Sequence, residues 1–272
     1  MTQPRRFGAY EILPLFDGVF EHSSDALIHA DGAEARERTI AAWGDPNFRF
    51  DVNCFLLRGP DGLTLIDSGC GSAWGAAFGH ARAALRDAGV APDDIKRVLL
   101  THIHGDHALG LFERDEPYFP RAEIWVAQDD LDFYTSAEAR EKTPEARRTA
   151  FKLTEQLLKI YGDRVRGIPM GAILPGVEAM SLPGHTPAHT GYLIGEGGDR
   201  LLIWGDALHF GDFQAADPKR GLSFDIDPTT AVRTRFSMLD RAARENWVIT
   251  GSHLKGSGRI ERAGEGFHIA AA

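Results

Sequence analysis

Three histidines and an aspartate fill four of six consecutive positions, His102, His104, Asp106 and His107, directly behind the run Arg97-Val-Leu-Leu-Thr101. That run is brief, branched and apolar, which reads as a buried strand, so the cluster is expected on a strand-terminal loop. Ionisable groups this crowded either repel one another once protonated or share a cation. Neutral imidazole with carboxylate is a set that suits zinc. In an extended segment side chains alternate with a period of two, so His102 and His104 point the same way and can reach one metal. Gly105 is expected to turn the backbone sharply and direct Asp106 and His107 toward a second ion.

The same pattern of an apolar run ending in acid or histidine recurs downstream. Strands are expected at residues 123–127, 177–181, 191–194, 201–204 and 247–250. Asp206 follows the fourth of these, where an unpaired charge would be expensive, so it is read as a metal ligand whose two oxygens can bridge two ions. His253 follows the fifth and supplies a further ligand. His185 sits among Gly and Pro turns that fix its backbone, whereas His189 reads as a hydrogen-bonding structural histidine. Asp67, behind residues 63–66, is suited to accept a hydrogen bond from the far nitrogen of a ligand imidazole. Asp106 is also the best-placed proton acceptor, and His209, three residues past Asp206, is expected to face the substrate and donate a hydrogen bond.

The remainder of the chain sets the frame. Of its 272 residues, 43% are hydrophobic and 25% charged, an ordinary balance for a soluble chain with a sizeable core. A formal charge of −9 offers no basic surface for phosphates, which disfavours nucleic acid as a partner. Cys54 and Cys70 are too few for a disulfide framework and read as reduced thiols. The N-terminus is basic but lacks the apolar run of a secretory leader, and no stretch is apolar enough to span a membrane; a cytoplasmic protein is expected. Residues 52–57 and 63–66 flank Gly59-Pro60-Asp61-Gly62 and should form a hairpin. Helical spacing predicts helices over residues 76–88, 144–161 and 229–245 and a short turn after Pro92. Residues 211–227 are expected to be a loop at the site mouth, with Phe16, Trp43, Phe48, Phe210, Phe213 and Phe224 lining an apolar pocket. No repeat or linker divides the chain, so one domain over residues 1–272 is expected.

His102-x-His104-x-Asp106-His107, followed in order by His185, Asp206 and His253 with Asp67-Ser68-Gly69 upstream, resembles the metallo-β-lactamase superfamily over about residues 50–268. The resemblance implies an α/β fold, the four-layer αβ/βα sandwich, with the site along one edge between two sheets. It implies that His102, His104 and His185 hold one divalent ion, Asp106, His107 and His253 another, most simply zinc, and that Asp206 bridges them. Residues 205–209, 225–233 and 251–254 are most similar to the methyl parathion hydrolase and lactonase branch, whose lactonases often carry Tyr where this chain has His209. The implied activity is cleavage of a lactone or ester by a hydroxide bridging two metals, with organophosphate triester cleavage as an alternative. Iron-dependent redox chemistry on the same ligand set is another alternative, although no flavodoxin-like extension accompanies it. A purely structural metal site is disfavoured, because such sites are closed and rich in cysteine. The expected partner is a small-molecule substrate, with no nucleic acid or membrane, and the assembly allowed for is a homodimer.

Overall fold

The computed structural model describes residues 4–271; residues 1–3, which begin the segment read as lacking a leader, and residue 272 lie outside it. Two seven-stranded sheets face each other. The first runs in the order Arg5–Phe7, Tyr10–Ser23, Asn47–Gly59, Gly62–Ile66, Ile95–Leu99, Glu123–Ala127 and Val165–Ile168. The second runs Gly171–Leu174, Val177–Ser181, Thr190–Glu196, Asp199–Ile203, Val248–Thr250, Gly258–Ala263 and Gly266–Ala271.

Strand periodicity explains the layering. Along Asn47–Gly59, Phe55 and Leu57 enter the core between the sheets while Cys54 and Leu56 pack beneath the outer helices. Ile203 and Leu201 likewise face the first sheet, and Leu202 faces away toward Met238, Leu239 and Ala242 of the Pro228–Arg244 helix. Both faces of these central strands are buried, which is why they read as continuous apolar runs rather than alternating ones. Helices His80–Asp87 and Thr149–Tyr161 cover the first sheet, contributing Ala81, Leu85, Phe151, Leu153 and Leu157 to its outer core. The result is helix, sheet, sheet, helix, the four-layer αβ/βα arrangement.

The expected hairpin is present, with Phe55 opposite Ile66 and Gly59 opposite Gly62. Three other expectations are corrected. The helix expected over 76–88 spans only His80–Asp87, because Gly79 holds a φ of 80° that a right-handed helix cannot contain. The helix expected over 144–161 divides into a short turn, Glu145–Arg147, and the helix Thr149–Tyr161. The loop expected over 211–227 contains a helix, Gly211–Ala216, and a strand, Arg220–Leu222, which pairs with Leu27–His29 beside the site. Among the described residues no helix is long and apolar enough to cross a membrane.

Candidate metal centre

The site lies where strands of both sheets end. Beyond Ile95–Leu99, the Leu100 carbonyl accepts from the Tyr192 hydroxyl at 2.7 Å, and the Thr190 amide donates to the Thr101 carbonyl at 2.9 Å, so the second sheet anchors the loop of the first. Thr101 donates its amide to Asp67 Oδ1 at 2.8 Å and its hydroxyl to Asp67 Oδ2 at 2.9 Å. Asp67 itself holds a φ of 58°, a left-handed conformation that costs a non-glycine residue about 1–3 kcal/mol and persists where the surroundings over-determine it. Here they do: Asp67 is wholly buried and also accepts from His107 Nδ1 at 2.8 Å.

The cluster is not all loop, as the sequence reading had it. His104 is extended, and Gly105–Ala108 forms one helical turn. Gly105 does not use a positive φ; a Cβ there would stand 2.7 Å from the Trp74 ring, which would have to shift. The helical turn carries Asp106 and His107 to a side of the site different from that faced by His102 and His104.

The second sheet supplies the remaining side chains. Asp206 follows Gly205, which has a φ of 55° and whose Cβ would lie 2.6 Å from His189 Nε2. His189 takes the structural role expected of it. Its Nδ1 donates to the Leu182 carbonyl at 3.1 Å, leaving Nε2 to accept from the Asp206 amide at 3.0 Å. Burial drives its pKa down to about 3, which keeps it neutral in that role. His185 Nδ1 donates to Asp225 Oδ1 at 3.0 Å, and His253 Nδ1 to the Asp51 carbonyl at 2.8 Å.

Two groups of donor atoms result. In one, His104 Nδ1 lies 3.0 Å from both His102 Nε2 and His185 Nε2, with Asp206 Oδ2 3.4 Å from His185 and 3.8 Å from His102. In the other, Asp206 Oδ1 lies 3.2 Å from His107 Nε2 and 3.1 Å from His253 Nε2, and Asp106 Oδ2 stands 3.5 and 3.6 Å from the same two nitrogens. The ligand atoms of His102, His104 and His185 lie within 4.8 Å of one another, as do those of Asp106, His107, Asp206 and His253, and a third such set joins His185, Asp206 and His209.

The chemistry of these atoms fits a cation in each group. His107 and His253 spend their Nδ1 protons on Asp67 and Asp51, so Nε2 of each presents a lone pair to the carboxylate oxygen of Asp206. His107 Nε2, His253 Nε2 and Asp206 Oδ1 are buried and make no hydrogen bond. Three buried acceptor atoms aimed at one point are stable only around a positive charge. Burial lowers the pKa of His102 well below its ordinary value and that of His104 to about 3, so both are neutral donors. Burial would raise Asp206 and Asp106, but the positive charge of a protonated His107 outweighs it, and the same carboxylates raise the pKa of His107 and His253 against burial. Without a metal this side therefore holds protons on Nε2, and a cation would take their place.

His209 was expected to face the substrate and donate a hydrogen bond to it. Its Nε2 lies 3.2 Å from Asp206 Oδ2 and its ring stacks on His253 at 5.0 Å, so it lines the cavity and also touches the central carboxylate. Gln214, which the sequence reading passed over, fixes it by accepting from the His209 and Phe210 amides. Asp225 was also missed as an orienting carboxylate. Its signal lay in Asp225-Ile-Asp227-Pro228: Asp227 caps the helix by accepting from the Thr230 amide, which leaves Asp225 without a local role.

A cavity of ≈ 450 Å³ opens over both groups. Its apolar walls are Phe20, Phe50, Trp74, Phe224 and Ile226, and Arg147 stands at its edge. Of the aromatics expected there only Phe224 is present. Phe48 and Phe210 are buried in a cluster behind the site with Trp43 and Phe213 against it, and Phe16 stacks on His80 elsewhere. Phe20 and Phe50 lie on strands and Trp74 and Phe224 between elements, and helical and strand spacing do not reveal which aromatics face a cavity.

Residues 47–253 match the family model described as the metallo-β-lactamase superfamily. A solved structure described as the hydrolase AbOPH in the beta lactamase superfamily is 25% identical, superposes with a TM-score of 0.87 and covers 99% of this chain and 96% of that one. AidC, described as a dizinc quorum-quenching lactonase, is 24% identical with a TM-score of 0.86, covering 99% of this chain and 97% of that one. A probable metal-dependent hydrolase from Staphylococcus aureus is 20% identical with a TM-score of 0.77, covering 98% and 99%. No curated protein matches the chain by sequence.

Proposed function

The chain belongs to the metallo-β-lactamase superfamily, and from that premise we propose that it is a dinuclear metal-dependent hydrolase of lactones or related esters. The observation that carries this reading is the convergence of two imidazole groups on Asp206: His107 Nε2, His253 Nε2 and Asp206 Oδ1 are buried without a hydrogen bond, and His104 Nδ1 is crowded to 3.0 Å from both His102 Nε2 and His185 Nε2. His102, His104 and His185 would hold one ion and Asp106, His107 and His253 the other, with Asp206 offering Oδ2 to the first and Oδ1 to the second. A set of neutral imidazoles and carboxylates without thiolate suits zinc. Two such cations would polarise a carbonyl or phosphoryl oxygen and bring the ionisation of water toward neutral pH.

The protein's own groups do the remainder. Thr101 and Asp67 fix the tautomers of His102 and His107, and Asp225 fixes that of His185. Asp106, ionised and facing the cavity, accepts a proton from the attacking water. His209 donates toward a substrate oxygen. Phe20, Phe50, Trp74 and Phe224 hold an apolar substituent and exclude water. These aromatic walls favour an aryl phosphotriester as the second reading, since its leaving group is flat and apolar. AidC's description as a dizinc lactonase supports the first.

Elemental analysis of freshly purified protein, followed by a hydrolysis screen of lactones, aryl esters and phosphotriesters, tests the proposal. About two metal ions per chain and turnover of at least one class that chelator abolishes are expected. Protein that binds no divalent metal would end this reading, and iron with redox activity would replace it.

A further inference from the structure

Each group of ligands sets two imidazoles against Asp206, His102 and His185 on one side and His107 and His253 on the other, but very different charge stands behind them. On one side stand Asp106, which offers Oδ2 directly, and Asp67, which takes the His107 Nδ1 proton. Asp67 has only neutral donors besides: the Thr101 amide and hydroxyl, and the Ser252 hydroxyl at 3.3 Å. Among the described residues no Lys or Arg forms an ion pair with Asp67, Asp106 or Asp206. On the other side the three direct ligands, His102, His104 and His185, are all imidazoles, with no carboxylate among them. Their one supporting carboxylate, Asp225, is cancelled by Arg235, whose Nη1 lies 3.1 Å from Asp225 Oδ2.

That ion pair is buried, with Arg235 2% and Asp225 1% exposed, so solvent does little to screen it. Arg235 is pinned there by donating Nε to the Pro218 carbonyl at 2.9 Å. His209 adds to the imbalance, because its Nε2 stands 3.2 Å from Asp206 Oδ2, the oxygen turned toward this same side. Asp130, the other buried acid nearby, is bound to the Thr186 hydroxyl and Ala188 amide and touches no ligand.

We infer that the buried Arg235–Asp225 pair makes the centre unequal: the Asp106, His107 and His253 side takes its cation first and holds it, while the His102, His104 and His185 side holds an exchangeable second ion. The inference rests on the dinuclear reading above and gives Arg235 the role of a positioning residue that sets the affinity of the second site. Outer carboxylates acting through a ligand histidine commonly change metal affinity by about 10- to 100-fold, and Asp106 adds a direct anionic ligand on one side only, so a gap of at least about 100-fold is expected.

The test withdraws metal from the zinc-loaded full chain with chelators of graded strength and counts ions per chain after each. A plateau at one ion is expected. Two cations beside one bridging carboxylate repel each other in any arrangement, so the identity of the retained ion decides the matter. His104→Ala should lose the easily removed ion and keep the tight one; His253→Ala should lose the tight one. The reverse assignment, or release of both ions together, overturns the inference. Arg235→Gln should strengthen retention of the second ion by at least about tenfold while Arg235→Lys leaves it near wild type; equal retention in both overturns the role given to Arg235. Should Arg235→Gln fail to fold, the His104 and His253 variants still decide the order. A wild-type chain that never binds zinc refutes the metal centre itself, which is a separate outcome.

Discussion

His209 is the residue whose structural position most sharpens its chemistry. It touches Asp206 Oδ2, stacks on His253 and lines the cavity, and burial lowers its pKa, which makes it a neutral donor. It forms a close set with His185 and Asp206, but the His102, His104, His185 and the Asp106, His107, His253 groups are each complete without it. His209→Ala is therefore expected to lower turnover by roughly 10- to 1000-fold, the usual cost of removing one donor to a developing charge, while two ions remain bound. His209→Tyr should recover part of the loss on lactones. Turnover and metal content measured on the same preparation check this: wild-type rates with two ions remove the catalytic role, and loss of an ion makes His209 a ligand. The sequence pointed to His209 through its distance from Asp206 and through the resemblance to lactonases that often carry Tyr there. Local density made His102 to His107 legible and strand ends made Asp206 and His253 legible, but the contacts of His209, Gln214 and Asp225 depend on how separate loops fold back together.

At the level of elements, the helix Gln128–Thr135 clamps the loop bearing His185. Asp130 on that helix accepts from the Thr186 hydroxyl and the Ala188 amide, each at 2.8 Å, and burial raises its pKa from 3.8 to about 6. A folded-state value above the unfolded one means that the fold favours the protonated acid. Its contribution is complete below about pH 4 and is lost as pH rises through 6, an effect on the order of 3 kcal/mol. Asn presents the same acceptor to Ala188 and a fixed donor to Thr186, and does not titrate. In metal-free protein, where no cation near His185 favours the carboxylate, the stability of wild type relative to Asp130→Asn should fall by up to about 3 kcal/mol between pH 4 and 7. Denaturant unfolding across that range tests it, and a gap constant with pH would show that Asp130 is ionised throughout. Sequence patterning located this helix only as the residues after a strand. Apolar periodicity marks strands buried on both faces, as at Leu201–Ile203, but it marks neither short helices built around one buried acid nor the cavity wall that Phe20, Trp74 and Phe224 share.

For the molecule as a whole, the centre is a joint between halves. His102, His104, Asp106 and His107 come from the end of a strand in the first sheet, whereas His185, Asp206 and His253 come from loops that follow strands of the second. Each proposed ion takes ligands from both, so metal should hold the sheets together in addition to the apolar core formed by Phe55, Leu57, Tyr192 and Ile203. An ion present at 100 to 1000 times its dissociation constant stabilises the folded state by about 2.7 to 4.1 kcal/mol, and in a chain of this size each kcal/mol moves Tm by about 2–4 °C. Chelation should therefore lower Tm by roughly 5–15 °C per tightly held ion. Because the ligands span both sheets, far-UV circular dichroism and the fluorescence of buried Trp204 and Trp247 should report one coincident transition with and without metal. Asp206→Ala should lose more of the metal-dependent increment than His104→Ala, since only Asp206 faces both ions. An unchanged Tm on chelation, or loss of the Trp signal well before the backbone signal, would mean that the metals sit on a scaffold whose halves are already joined without them.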